Sequence, residues 1–229
     1  MGTLVVNQYS KKESWIPTEL SSLQYWYDAS DLDSIVLSGS KVTQWDDKSV
    51  NQYHVTQSDD SLRPSLVLNA QNGLPGLDWG SSANSKALRK NSIDLSTENH
   101  FAVVRYTGIL PIAGHPAILT SRFFNNVGDL QLAFLPGNTW YAGAMFHNGS
   151  NVALISASDF LGDPFIVRSN IPITPSTSHN IVIGMDRTLA DRGWQGQIYE
   201  VLSVGDMTEN EIQLLTNYLS VKWGIPLIP

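Results

Sequence analysis

From Trp15 onward, short apolar segments alternate with clusters of Asp, Asn, Ser and Gly. The clusters recur roughly every 8–12 positions, the rhythm of short strands joined by tight turns. Leu23–Tyr27 runs into Asp28-Ala29-Ser30-Asp31, which predicts a strand ending in an Asx-type turn. Val42–Trp45 runs in the same way into Asp46-Asp47-Lys48-Ser49. Further strands are predicted at Phe101–Tyr106, Ala117–Thr120, Leu130–Leu135, Thr139–Phe146, Val152–Ile155, His179–Met185 and Gln197–Val204. Helical periods do not alternate with these strands, so a parallel α/β sheet is disfavoured.

The periodicity changes at the C-terminus. Thr208-Glu209-Asn210-Glu211 reads as a capping box, with Thr208 at the N-cap and Glu211 at N3. Ile212, Leu215, Leu219 and Val221–Trp223 follow near-helical spacing. Gly224 stands where a helix-ending glycine belongs, and Pro226 prevents continuation. A helix whose apolar face covers a sheet is therefore expected here.

No repeat of 20–50 residues is present, which removes propellers and solenoids. No linker divides the middle of the chain. The expected organisation is an N-terminal arm, 1–14, and one domain, 15–229. The arm reads as a frayed terminus or as a segment that docks on a partner assembly.

Composition narrows the function classes. Of 229 residues, 42% are hydrophobic and only 15% are charged, with seven Trp, eight Tyr and seven Phe. That suits a large aromatic core under a polar, uncharged surface. The formal charge is −7 and no basic block occurs, so neither a nucleic-acid partner nor an anionic membrane surface is expected. No cysteine is present, which excludes thiol catalysis, thiolate metal sites and disulfides and leans towards folding in a reducing compartment. The first residues do not read as a signal peptide, and no apolar run approaches a membrane span of about 20 residues.

Several segments carry a family likeness. They are Trp15-x-Pro17, Tyr25-Trp26-Tyr27-Asp28-Ala29-Ser30-Asp31, Val42-x-x-Trp45-x-Asp47-Lys48-Ser49, Arg63-Pro64 and Asn72-Gly73. Towards the end stand Trp194-x-Gly196-x-Ile198-x-Glu200-Val201, Thr208-x-x-Glu211 and Tyr218-Leu219-x-x-Lys222-Trp223-Gly224-Ile225. Together they resemble the laminin G-like, concanavalin A-like domains of bacteriophage structural proteins and bacterial surface proteins. The likeness brackets the chain, while about 105–180 is generic β sequence. It implies an all-β fold, a two-sheet antiparallel jelly-roll β-sandwich with a short C-terminal helix. Two loops depart from the family pattern, at Asp78-Trp79-Gly80 and at Lys48-Ser49-Val50.

That family contains sugar binders, adhesive modules, virion decorations and a minority of glycosidases, so function has to be argued from the residues. The resemblance implies a virion module (a capsid decoration, tail or fibre component) that folds in the host cytoplasm. Its partners would be other virion proteins or further copies of itself, and host-surface polysaccharide. A lectin-like module of a bacterial cell-surface protein is the alternative, and a glycoside hydrolase or depolymerase is the third reading.

No constellation in the sequence dictates a reaction. A glycosidase needs two carboxylates flanking the bond, and retaining enzymes hold them about 5–5.5 Å apart. Glu200 is the only acid inside a strong strand, with no acid within three residues on either side. It reads as a structural carboxylate held by an arginine, a lysine or backbone donors. None of the five histidines lies within five residues of another, and no His-Glu-x-x-His, Gly-x-Ser-x-Gly or phosphate-loop motif occurs. The expectation is a protein that is not an enzyme and carries no resident cofactor, calcium aside.

Two binding candidates remain. Asn125, Asn126 and Asp129 offer oxygen donors for calcium or a sugar, or else form a hairpin turn. The acid pairs Asp46-Asp47 and Asp59-Asp60 read as solvated turns. For a sugar, Trp140 and Tyr141 supply an aromatic platform with Asn138, His147 and Asn148 as polar neighbours. Adjacent strand residues face opposite ways, so only one of the two rings can meet a ligand.

Overall fold

Strand-forming segments rich in Val, Ile, Tyr, Phe and Trp dominate the computed structural model. It describes residues 15–228, apart from 83–84, 98, 111–113, 122–130, 136–138, 142–144, 152–160, 171–172 and 187–191. In chain order the strands are Leu23–Asp28 (β1), Ile35–Ser38 (β2), Lys41–Trp45 (β3), Val55–Thr56 (β4), Ser65–Gln71 (β5), Leu74–Asp78 (β6), Leu88–Thr97 (β7) and Asn99–Tyr106 (β8). They continue with Ala117–Thr120 (β9), Gln131–Leu135 (β10), Thr139–Tyr141 (β11), Met145–His147 (β12), Ser150–Asn151 (β13), Pro164–Ser169 (β14), Ile173–Ile183 (β15) and Gly196–Val204 (β16). One α-helix, Glu209–Trp223 (α1), follows.

Hydrogen bonds link the strands in the order β11-β10-β9-β15-β7-β4-β3-β5-β6-β16-β8-β14-β12-β13, with β1 added on β16 and β2 on β3. The strand pairings are antiparallel. The two ends of this path approach each other in sequence at Tyr141 and Met145. Four residues span at most about 14 Å, so the path must curl back on itself.

The curl encloses the main core. Val42, Trp45, Val55, Leu88, Ile118 and Ile181 meet Tyr27, Val104, Phe165, Val167, Ile198 and Val201 there. The first set comes from β3, β4, β7, β9 and β15, and the second from β1, β8, β14 and β16. The result is an all-β, antiparallel, sandwich-like fold.

The period-2 rule decides what lies outside the sandwich. On β8, Ala102 and Val104 point into the main core, while Phe101 and Val103 point the other way. On β14, Phe165 and Val167 point in and Ile166 out. The outward set would be wet, but α1 lies over it. Leu215, Leu219 and Trp223 from the helix close a second core with Phe101, Val103, Ile166, Tyr199, Leu202 and Val204.

The helix forms as its sequence predicts. The Thr208 side chain accepts from Glu211 N, the Glu211 side chain accepts from Thr208 N, and Gly224 ends the helix at φ 65°. One expectation is corrected: Val221 does not join the apolar face, because it falls on the opposite side of the helix, where it is 80% exposed. A second concerns Thr139–Phe146, which is not one strand. It divides into β11, paired with β10, and β12, paired with β13 and β14.

Strand β16 carries one irregularity that matters later. Ile198 pairs with Val104, but Glu200 pairs with Val103, so Tyr199 and Glu200 together oppose a single step of β8. Such a bulge breaks the alternation and re-aims a side chain. Tyr199 and Glu200 both face the helix layer, while Ile198 and Val201 face the main core.

Candidate functional site

Beneath α1, residues from four parts of the chain converge on Glu200. Its Oε1 accepts from Trp26 Nε1 at 2.6 Å. Its Oε2 accepts from Trp223 Nε1 at 2.6 Å and from Lys222 Nζ at 2.8 Å. The carboxylate is 0% exposed, so these donors replace the water that burial removes. Burial pushes its titration upward from the ordinary 4.5, against the pull of Lys222.

Asp28 stands directly opposite Glu200 on β1. Lys222 Nζ donates to Asp28 Oδ1 at 2.6 Å, so one ammonium is shared by two carboxylates. Asp28 Oδ1 also accepts from Ser30 N at 3.0 Å and Ser30 Oγ at 2.6 Å, the predicted Asx turn. Lys48 Nζ reaches Asp28 Oδ2 at 3.0 Å and Asp31 Oδ2 at 2.7 Å, and lies 4.3 Å from the centroid of a Trp26 ring. Burial would raise the Asp28 carboxyl, but Lys222 and Lys48 hold it below 3.8. Tyr218 OH accepts from Lys222 Nζ at 3.1 Å. Burial, with the charges of Glu200 and Asp28, drives that phenol well above its ordinary range.

Asp47 secures the neighbouring loop. It accepts from Trp26 N, Ser49 N, Ser49 Oγ and Tyr53 N, each at 2.8 Å. The reading of Asp46-Asp47 as a solvated turn is therefore corrected for Asp47, which is buried because it organises four donors. Asp59 and Asp60 are exposed, and Asp59 accepts from Ser61 N at the start of a short 3-10 turn.

The residues that meet here were all visible in the sequence as motifs, but not as neighbours. Glu200 is held by a lysine, one of the partners its sequence context suggests, with two indoles in place of backbone donors. Asp28, Lys48 and Lys222 were missed as its companions. The available signal was a lone acid on an apolar strand, which requires a buried cation from elsewhere.

A depression of about 400 Å³ adjoins the cluster on the flank of α1, lined by Trp15, Leu214, Asn217, Tyr218, Val221 and Lys222. Trp15 meets Tyr218 edge-on, with ring centroids 6.0 Å apart. It combines half-buried aromatic rings with the exposed Asn217 amide.

The sequence-predicted platform is only partly within view. Trp140 and Tyr141 lie on β11 and His147 on β12, but their side chains, and the whole of Asn138, are outside the described residues. So are Asn125, Asn126 and Asp129, the arm 1–14 and the expected strand Val152–Ile155. Asn148 is described: its Oδ1 accepts from Ile166 N at 2.8 Å, which ties the β12–β13 turn to β14. Among the described residues, no group of three or more His, Asp or Glu could hold a metal, and no helix is long and apolar enough to cross a membrane.

No protein-family model matches this sequence, and neither a curated protein nor a solved structure matches it.

Proposed function

We propose that this chain is a non-enzymatic scaffolding and recognition module of the kind mounted on a virion, as a capsid decoration or a tail or fibre component, with a weak glycan-binding surface. The observation that carries the non-enzymatic part is the condition of Asp28 and Glu200. They form a close carboxylate pair, which glycoside hydrolysis requires, but they are 4% and 0% exposed and a lysine sits between them. A general acid and a nucleophile must reach opposite sides of a bound bond. These two reach only protein.

The depression beside α1 supports the recognition part. A ring edge or face and a nearby amide are the groups that meet the apolar and hydroxylated sides of a sugar. The pair Trp140 and Tyr141 remains the second platform. Single sites of this kind bind weakly, and repetition on an assembly raises their avidity through effective concentration. The acidic, cysteine-free composition supports folding in a reducing host cytoplasm before assembly.

The test is a glycan array with purified chain, clustered to raise avidity and run with calcium and with chelator. Specific binding is expected. Loss in Trp15→Ala assigns it to the depression, and loss in Trp140→Ala or Tyr141→Ala assigns it to β11. Chelator sensitivity would point to Asn125, Asn126 and Asp129. Absence of binding by the clustered protein would remove the glycan part, and release of reducing ends from any polysaccharide would overturn the non-enzymatic part.

A further inference from the structure

We propose that Lys222 and Asp28 condense spontaneously into an intramolecular amide, covalently joining α1 to β1, with Glu200 as the proton carrier. This does not depend on the functional reading above.

The reacting atoms are already in contact. Lys222 Nζ lies 2.6 Å from Asp28 Oδ1, which puts Asp28 Cγ no more than one C–O bond further away. Held reactants behave as if present at effective concentrations of about 10⁵–10⁸ M when their geometry approaches that of attack. Asp28 is held by its Asx turn. Lys222 is held by the helix end and by its contacts with Tyr218 and Glu200.

The surroundings favour the neutral product. The side chains of Lys222, Asp28 and Glu200 are 14%, 5% and 0% exposed, with Trp26, Tyr218 and Trp223 around them. Burying charges this far from water is costly even when they are paired. Condensation removes one positive and one negative charge and releases the water to solvent.

The step balances without any outside reagent. Lys222 first gives a proton to Glu200 Oε2, 2.8 Å away, and Glu200 passes it to Asp28 Oδ1 as the neutral amine attacks. The amine lone pair attacks Asp28 Cγ, the N–C bond forms, and the carbonyl electron pair moves onto Oδ2. Lys48 Nζ, 3.0 Å from Oδ2, stabilises the charge that develops there. Glu200 Oε2 then takes a second proton from the attacking nitrogen and delivers it to the Oδ1 hydroxyl. The C–Oδ1 bond breaks, water leaves and the Oδ2 pair re-forms the carbonyl. An ion pair has become an amide and one water, and Glu200 ends as it began.

The test is the intact mass of the full chain, measured under denaturing conditions. The expected mass is lower than the sequence mass by one water. A digest should yield a branched peptide joining the β1 segment to the end of α1, with trypsin unable to cut after Lys222. Lys222→Arg keeps the charge but not the nucleophile, and should restore the full mass. Glu200→Gln keeps both reacting groups and should slow or stop the loss. Because a variant could fail to fold, wild-type chain is also isolated unfolded, then refolded and sampled over time. The water should be lost only after refolding. A folded wild-type chain at full mass overturns the proposal. So does a water loss that survives Lys222→Arg, or one that maps to any pair other than Asp28 and Lys222.

Discussion

Glu200 owes its place to a bulge, and three donors meet its buried oxygens. Trp26 lies 174 residues away along the chain, while Lys222 and Trp223 lie 22 and 23 away. Removing one donor leaves a buried acceptor unsatisfied, and removing the Trp223 ring also empties part of the second core. Trp223→Ala should therefore cost about 3–5 kcal/mol, read as a shift in the chemical denaturation midpoint. An unchanged midpoint would show that the indole is not integral to the helix interface. Gly196 illustrates a different single-residue constraint. Its φ is 140°, and a Cβ there would stand 2.0 Å from the Arg105 carbonyl oxygen. No rotamer change relieves a clash with backbone, so the position accepts only glycine. The lone acid could be read from sequence. Its partners could not, because cross-strand neighbours are set by register, and register is invisible without the fold.

The helix was the most legible element, because its start, stripe and stop are encoded within a few residues. Its N-terminus also gives a prediction on pH. The Thr208 N–H and hydroxyl hold the Glu211 carboxyl below 4.5. A depressed folded value means that the contribution is complete above the unfolded value and is lost as pH falls through the folded one. Acidification below about 4.5 should therefore fray the first turn of α1, seen as faster amide exchange after correction for intrinsic rates. Glu211→Gln retains an acceptor that does not titrate, so its first turn should lack this acid response. An equal response in both proteins would rule out the capping carboxylate as the cause. Strands were less legible. Ala117–Thr120 matches β9, because its ends coincide with turn residues. Thr139–Phe146 reads as continuous because apolar residues bridge the break between β11 and β12. Alternation reports a strand's faces, but not the point at which the chain changes neighbours.

At the scale of the molecule, the sheet half formed by β1, β16, β8 and β14 has apolar side chains on both faces. One face belongs to the sandwich and the other to α1. A chain ending at Met207 would expose Phe101, Val103, Ile166, Leu202 and Val204 and leave Glu200 without Lys222 and Trp223. It should aggregate or bind hydrophobic dyes. A soluble monomer with wild-type near-ultraviolet dichroism would show that the sandwich is complete without its helix. The fold class was legible from turn spacing and composition. The depression beside α1 was not, since it joins Trp15 to residues almost two hundred positions further on.

Strand β1 and helix α1, close to the two ends of the described chain, are fastened to the same strand, β16, and to each other through Asp28 and Lys222. Tension applied across those ends would load this junction first. The load would pass from β1 to α1 through Asp28 and Lys222, and the intervening strands would carry little of the force. A domain wired in this way can be built in series into a stretched filament and hold its shape while the chain around it is pulled.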